Sequence, residues 1–315
     1  LKGEGKIEEA IAKYAEAAAA YEDLLNAAKE SPDAYRLAWT LAEIWYFAGV
    51  MCNAPRKDGN LILIDEEVVP WPAEKLPAIK KACEAMGKSI AYYNMVRDWK
   101  GARSKDEEGK PMDKTEEAAY SAVGAAEQVL AARSAYAKGD PERVETLSLP
   151  EIRPSNDKDQ AIVKANEESG VAGIKKATRV PIDPLAVEWI LAADGYVNGS
   201  DKFLSKDDPE RANKLALKAA ELLYKNRHFD PWKEGATPRT PPEFWSARMR
   251  FETILKRFRG SKVASEAVKN LVTSYWLEND IEALQTVIEK YKDQIDEKQR
   301  KTIVDTAVQI KFNAL

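Results

Sequence analysis

Apolar residues recur three or four positions apart along most of the chain, the spacing of one helical face. From Gly5 to about Glu30, Ala10, Tyr14, Ala17, Tyr21 and Leu24 form one such stripe. Ser31-Pro32-Asp33 then ends one helix and starts another, with proline in the first turn. Asp33 to Gly49 is strongly apolar through Leu37, Ala38, Leu41, Ile44, Trp45 and Phe47, and its terminal glycine suits a C-cap. Two amphipathic helices joined by so short a turn form an antiparallel pair.

The rhythm breaks from Met51 to Pro72, where Asp58-Gly59-Asn60 precedes Leu61 to Ile64 and Val68-Val69; a small hairpin or ordered inserted loop is expected there. Pro72 to Trp99 is helical again, Pro77 falling early enough to be tolerated. Lys100 to Asp113 reads as a solvated loop, Lys114 to Lys138 as a long alanine-rich helix, and 147–156 as a second irregular stretch marked by Pro150 and Pro154. Further helices are predicted at 157–169, 183–196, 208–227, 242–259, 262–278, 280–291 and 296–312. The fold class is therefore all-α, built of helical hairpins with irregular insertions. The expected divisions are an N-terminal helical part over 1–100, a middle part with long loops over 101–206 and a C-terminal helical part over 207–315. Leu1 opens the chain inside periodic sequence, so a piece of a longer protein is expected.

Charge and composition narrow the functions available. Lys and Arg number 48 against 52 Asp and Glu, a net charge of -4 that argues against general phosphate-backbone binding. No apolar run is long enough to cross a bilayer. His228 is the one histidine and there are two cysteines, which removes polyhistidine metal sites and zinc clusters. In an antiparallel pair Cys52 and Cys83 would lie roughly 15 Å apart at 1.5 Å of rise per residue. A disulfide needs Cα atoms within about 7 Å. Unless the insertion folds Cys52 back, both are buried free thiols.

Asp-Pro-Glu-Arg occurs at Asp140 and again at Asp208, 68 residues on, each copy offering Asp as N-cap and Pro as the first helical residue. Aligning Ala10 with Val144 and Ala212 gives intervals of 134 and 68, close to multiples of 34. Helix pairs at a period of about 34 residues are the tetratricopeptide signature. The chain resembles tetratricopeptide-repeat proteins on Leu41, Ala42, Trp45 and Gly49, and again on Leu271, Val272 and Tyr275 with Asn279-Asp280 as the turn and Ala283 beginning the next helix. Val272 stands where that pattern has a small residue, and insertions at 51–72, 100–113, 147–156 and 198–207 separate the pairs. The resemblance implies a tetratricopeptide-like α-solenoid.

The stretch from Phe251 through Gly260 to Ala264 and Ala267 is similar to helix junctions of bacterial envelope tetratricopeptide proteins such as the outer-membrane assembly lipoprotein class, with Gly260 in place of their proline. That likeness implies a periplasmic or envelope-associated protein, the cytoplasm being the alternative.

Candidate chemistry is sparse. His228 beside Asp230 follows a helix in Asn226-Arg-His-Phe-Asp230-Pro-Trp232, without a nucleophile or phosphate loop, and reads as a capping or packing histidine rather than an acid-base catalyst. The adjacent carboxylates Glu8-Glu9, Asp65 to Glu67, Glu107-Glu108 and Glu167-Glu168 cannot converge from one helix and are solvated faces. Asp58-Gly-Asn60 lacks the other ligands of a calcium loop. Arg248, Arg250, Lys256, Arg257, Arg259 and Lys262 accompany Trp245 and Phe258, but Glu243, Glu252 and Glu266 interrupt them, so a mixed charged surface is expected. Trp39, Trp45, Trp189, Trp245 and Trp276 fall in predicted helices.

In tetratricopeptide arrays the first helix of each pair lines a concave groove. The resemblance places Arg36, Trp39, Glu43 and Tyr46 there in the first pair, Lys269 and Trp276 with Glu266 and Thr273 in the last, and Arg133 and Tyr136 in the middle. Aromatics mixed with Arg and Lys suit protein recognition. The expectation is a non-enzymatic scaffold for protein-protein interaction, without cofactor or metal, within a bacterial envelope complex. Its partners would be other proteins or peptide segments, a second copy included, and not nucleic acid or membrane. The alternatives are the helical domain of a larger enzyme holding substrate near the inserted loops, and a structural spacer in a multiprotein machine.

Overall fold

The computed structural model describes residues 7–50, 76–137, 184–199, 208, 210–225, 247–277 and 281–294, with 297, 300, 301, 304 and 305. Every regular element among them is helical: α1 Ile7–Ala27, α2 Asp33–Gly49, α3 Leu76–Arg97, α4 Thr115–Ala137, α5 Pro184–Gly199, α6 Arg211–Lys225, α7 Ala247–Arg257, α8 Lys262–Leu277 and α9 Ile281–Lys290, followed by a 3-10 turn at Lys292–Gln294. The fold is all-α. The hairpin expected within 51–72 and the helix expected at 157–169 lie outside the described residues.

The chain forms two compact units, one of Leu1–Pro154 with Pro184–Ser205 and one of Ser155–Asp183 with Lys206–Leu315. In the first unit each helix packs on the next, α1 on α2, α2 on α3, α3 on α4 and α4 on α5, and α1 also touches α3. In the second, α6 packs on α7, α7 on α8 and α8 on α9, with α6 also against α8.

Local chemistry explains the breaks. Ser31 Oγ accepts from Asp33 N at 3.2 Å and so satisfies one of the donors exposed at the start of α2. Asp113 Oδ1 does the same for α4, accepting from Thr115 N at 3.1 Å and Thr115 Oγ1 at 2.7 Å. Asp208 Oδ1 accepts from Glu210 N at 3.1 Å, the cap expected of its Asp-Pro-Glu-Arg motif. Gly260 sits at φ 78° in the α7–α8 turn, a left-handed conformation that proline, locked near φ -65°, could not adopt. That accounts for glycine at this junction.

The core of the first unit forms where Ala18 of α1 meets Leu41, Trp45 and Ala48 of α2 and Ala85 of α3, with Tyr14, Ala15, Tyr21, Leu25, Ile44 and Tyr92 around them. The buried stripe of α1 thus runs through Ala18 and Leu25, not through Ala17 and Leu24; Leu24 is 54% exposed. Adjacent alanines and adjacent leucines leave the periodicity ambiguous, and the position of Trp45 and Leu41 selects the line that packs. Phe47 is likewise exposed rather than core, because Tyr35, Ala38, Leu41, Ala42, Trp45 and Ala48 fill the buried side of α2. Alanine-rich α4 is buried over much of its circumference, from Ala118 through Ala132, as a helix packed on both α3 and α5 must be.

Gly49 does not act as the expected left-handed C-cap. It is the last residue of α2, and the following Val50 keeps right-handed helical angles of φ -55° and ψ -21°. A Cβ there would stand 2.9 Å from the Cβ, Cε and backbone N of Met86, so the glycine lets α3 approach.

The 100–113 segment is the solvated loop expected, exposed over most of its length, and it is also anchored at its base. Asp106 Oδ1 accepts from Glu108 N and Lys110 N at 3.0 and 2.8 Å, and Gly109 turns the chain at φ 78°. Buried Ser104 donates to the carbonyl of Pro32 at 2.7 Å, while Lys114 N donates to Tyr35 Oη at 2.8 Å. The loop therefore ties the start of α4 to the start of α2. Cys83 is a buried free thiol; Cys52 lies outside the described residues.

Candidate protein-recognition face

A spacing of three or four residues brings Arg36, Trp39, Glu43 and Tyr46 onto one side of α2. The structure gathers Trp39, Glu43 and Tyr46 around Tyr93 of α3, while Arg36 stays exposed. The Trp39 and Tyr93 ring centroids are 5.6 Å apart, and those of Tyr46 and Tyr93 are 6.3 Å apart with planes at 64°. Phe47 extends the row, edge-on to Tyr46 at 6.1 Å and half exposed. Trp39, Glu43 and Tyr46 are half-buried, whereas Tyr93 is fully buried beneath them.

The polar groups of the row are ordered by charge. The Tyr93 hydroxyl donates to Glu43 Oε1. Burial, then the hydrogen bond to the Glu43 carboxylate and its charge, push the Tyr93 phenol far above its ordinary range, so it remains a neutral donor. Arg36 Nη2 pairs with Asp33 Oδ1 at 3.1 Å. Lys114 Nζ lies 5.1 Å from the centre of the Trp39 ring and forms its ion pair with Glu117. Asp113 beside it is held below the usual carboxylate range: burial raises it, but hydrogen bonds from Thr115 and the Arg103 guanidinium outweigh that effect.

Adjacent tyrosines on α3 reach different helices. Tyr93 bonds Glu43 of α2, while Tyr92 donates to Glu22 Oε1 of α1 at 3.0 Å. Glu22 also accepts from Trp45 Nε1 at 3.4 Å, and Lys88 Nζ sits 3.9 Å over the Trp45 ring. Burial, the hydrogen bond and the Glu22 charge push the Tyr92 phenol up from 10.0 to about 12. A raised acid pKa favours the neutral folded form. The Tyr92 contribution is therefore complete below pH 10 and is lost as pH rises through about 12. Thermal melts between pH 9 and 12 should show Tyr92→Phe losing less stability with rising pH than the parent. Parallel slopes would contradict the Glu22 contact.

The remaining positions are not assembled with this row in the same way. Lys269 is an exposed residue of α8, in the second unit, paired with Glu266 at 2.9 Å. The side chains of Arg133, Tyr136 and Trp276 lie outside the described residues, as do His228, Asp230 and Trp245. The expected basic surface is corrected in two places. Arg250 is buried, at 3% exposure, and Arg248 turns onto α8, donating from Nε to Ser274 Oγ at 3.0 Å and from Nη2 to the Ser274 carbonyl at 2.6 Å. Its guanidinium lies 4.1 Å over Tyr275. Planar guanidinium groups fit such stacked, multiply bonded positions between helices. Arg259 is paired with Asp293.

No group of three or more His, Cys, Asp or Glu side chains that could hold a metal occurs among the described residues. No helix among them is long and apolar enough to cross a membrane. No family model, curated protein or solved structure matches the chain.

Spacing along the sequence places the α2 residues on the row but yields neither Tyr93 nor Lys114. Met86, Ser89, Tyr93 and Val96 are all buried and share one side of α3 by their spacing of three or four, which was the available signal for Tyr93. Lys114 carries no such signal, since the anchored loop delivers it to Trp39.

Proposed function

We propose that the chain is a non-enzymatic, tetratricopeptide-like helical scaffold that holds a segment of another protein along the Trp39–Tyr46 side of α2, within a bacterial envelope complex. The observation that carries this reading is the partly exposed row of Trp39, Tyr46 and Phe47 over the buried Tyr93, with carboxylate Glu43 set into it. Rigid aromatics lose little conformational entropy on binding and dominate recognition surfaces. The first three helices of the first unit and α6 to α8 of the second each pack in the order first on second, second on third, and first on third. Stacked helix pairs make such contacts, and this supports the repeat reading. The envelope location rests on the Phe251–Ala267 likeness.

The double substitution Trp39→Ala, Tyr46→Ala should weaken a captured partner at least about tenfold in calorimetric titration, each residue being of the anchor type. Far-UV circular dichroism should remain that of the parent, since Ala38, Leu41, Ala42, Trp45 and Ala48 still fill the buried side of α2. Unchanged affinity would overturn the assignment of this face.

A further inference from the structure

We infer that the Trp39–Glu43–Tyr46 face receives a cationic side chain, an arginine or lysine of the bound segment, between its rings and against the Glu43 carboxylate. This rests on the peptide-binding reading above and specifies the chemistry of the partner. Glu43 is half-buried, and its one bond among the described residues comes from the Tyr93 hydroxyl to Oε1. A carboxylate has capacity for several donors, so Glu43 keeps acceptor capacity after that bond. No cation among the described residues pairs with it: Arg36 is committed to Asp33 and Lys114 to Glu117. A partly desolvated carboxylate without a counter-charge attracts one from outside.

The rings supply the second element of recognition. Trp39 and Tyr46 lie two helical turns apart on α2, about 10 Å along its axis at 1.5 Å per residue, and both lean on Tyr93 between them. Glu43 falls in that interval. Faces of Trp and Tyr attract guanidinium and ammonium groups through their quadrupoles. Lys114 at 5.1 Å from the Trp39 ring centre shows that this indole accepts a cation in its own fold. An acidic segment would instead meet Glu43 directly, and a purely apolar one would leave its carboxylate partly dehydrated without gain.

The test uses the full chain labelled with 5-fluorotryptophan, the Trp39 fluorine signal being assigned by Trp39→Phe. N-acetylarginine amide, N-acetyllysine amide and tetramethylammonium are titrated beside neutral N-acetylglutamine amide. The cations should produce a saturable shift of the Trp39 signal that the neutral amide does not. Glu43→Gln, which can still accept from Tyr93, should weaken that response about tenfold, within the range of a partly desolvated cation–π and charge contact. Equal responses to cationic and neutral probes, or no loss in Glu43→Gln, would overturn the inference. A neutral aromatic peptide that shifts Trp39 equally in parent and Glu43→Gln would overturn it while leaving the recognition face standing. A face that binds no peptide of any charge would remove both.

Discussion

Replacing Phe251 with alanine is expected to lower the stability of the second unit by about 4 kcal/mol, the cost of emptying an aromatic site in a packed core. Phe251 is fully buried on α7, edge-on to Tyr224 of α6 at 6.0 Å. Ile254 and Leu255 are buried beside it on the same helix, and Ala264, Ala267, Val268 and Leu271 fill the facing side of α8. The alanines that let α8 approach α7 have no longer side chain with which to refill the space. Two terms therefore add, the lost transfer of the ring and the cavity it leaves. Scanning calorimetry should show the transition of the second unit shifted down, with the first less affected. A loss below about 1 kcal/mol would mean that the α6–α7–α8 packing is wrong, because surface positions lie in that range.

Gly49→Ala should destabilise the first unit by roughly 2 kcal/mol, the usual penalty of overpacking a tight contact. Helix propensity alone predicts the opposite sign, since alanine exceeds glycine by about 1 kcal/mol inside a helix. The new methyl group would stand 2.9 Å from the backbone nitrogen and Cβ of Met86. Neither atom can move without shifting α3, and α2 and α3 share the Ser89 hydroxyl bond to the Ala42 carbonyl at 2.9 Å. Gly124 of α4 provides the contrast, because a Cβ added there meets nothing within 4 Å. Gly124→Ala should raise stability by roughly 0.5–1 kcal/mol. Urea titration of the two variants decides the matter. If both gain stability, the close approach at Gly49 is not real.

The aromatic row of α2 divides along the same line as these two glycines. Arg36, Trp39, Glu43 and Tyr46 could be placed together from their spacing, because α-helical geometry is local and repeats every 3.6 residues. Tyr93 could not be assigned to Glu43, nor Tyr92 to Glu22, by any spacing within α3. Which neighbour each hydroxyl meets depends on how α1 and α2 cross that helix. Arg248 and Arg250 illustrate the converse: their charges read as surface, yet the hydroxyl, carbonyl and ring of Ser274 and Tyr275 offer Arg248 a seat between helices.

By itself the sequence determined the all-α class and the start of α2 at Asp33, since a proline and a serine hydroxyl that accepts from Asp33 N act within a few residues of where they stand. It determined also that the chain has too few histidines and cysteines for clustered metal chemistry built on them. Tertiary structure decided which stripe of α1 is buried, why Gly49 must be small and which carboxylate each tyrosine meets. These depend on groups 23 to 70 residues apart, such as Glu22 with Trp45 and Tyr92. Such partners are chosen by packing density and the need to satisfy buried polar groups, and neither is written in the period of a single helix.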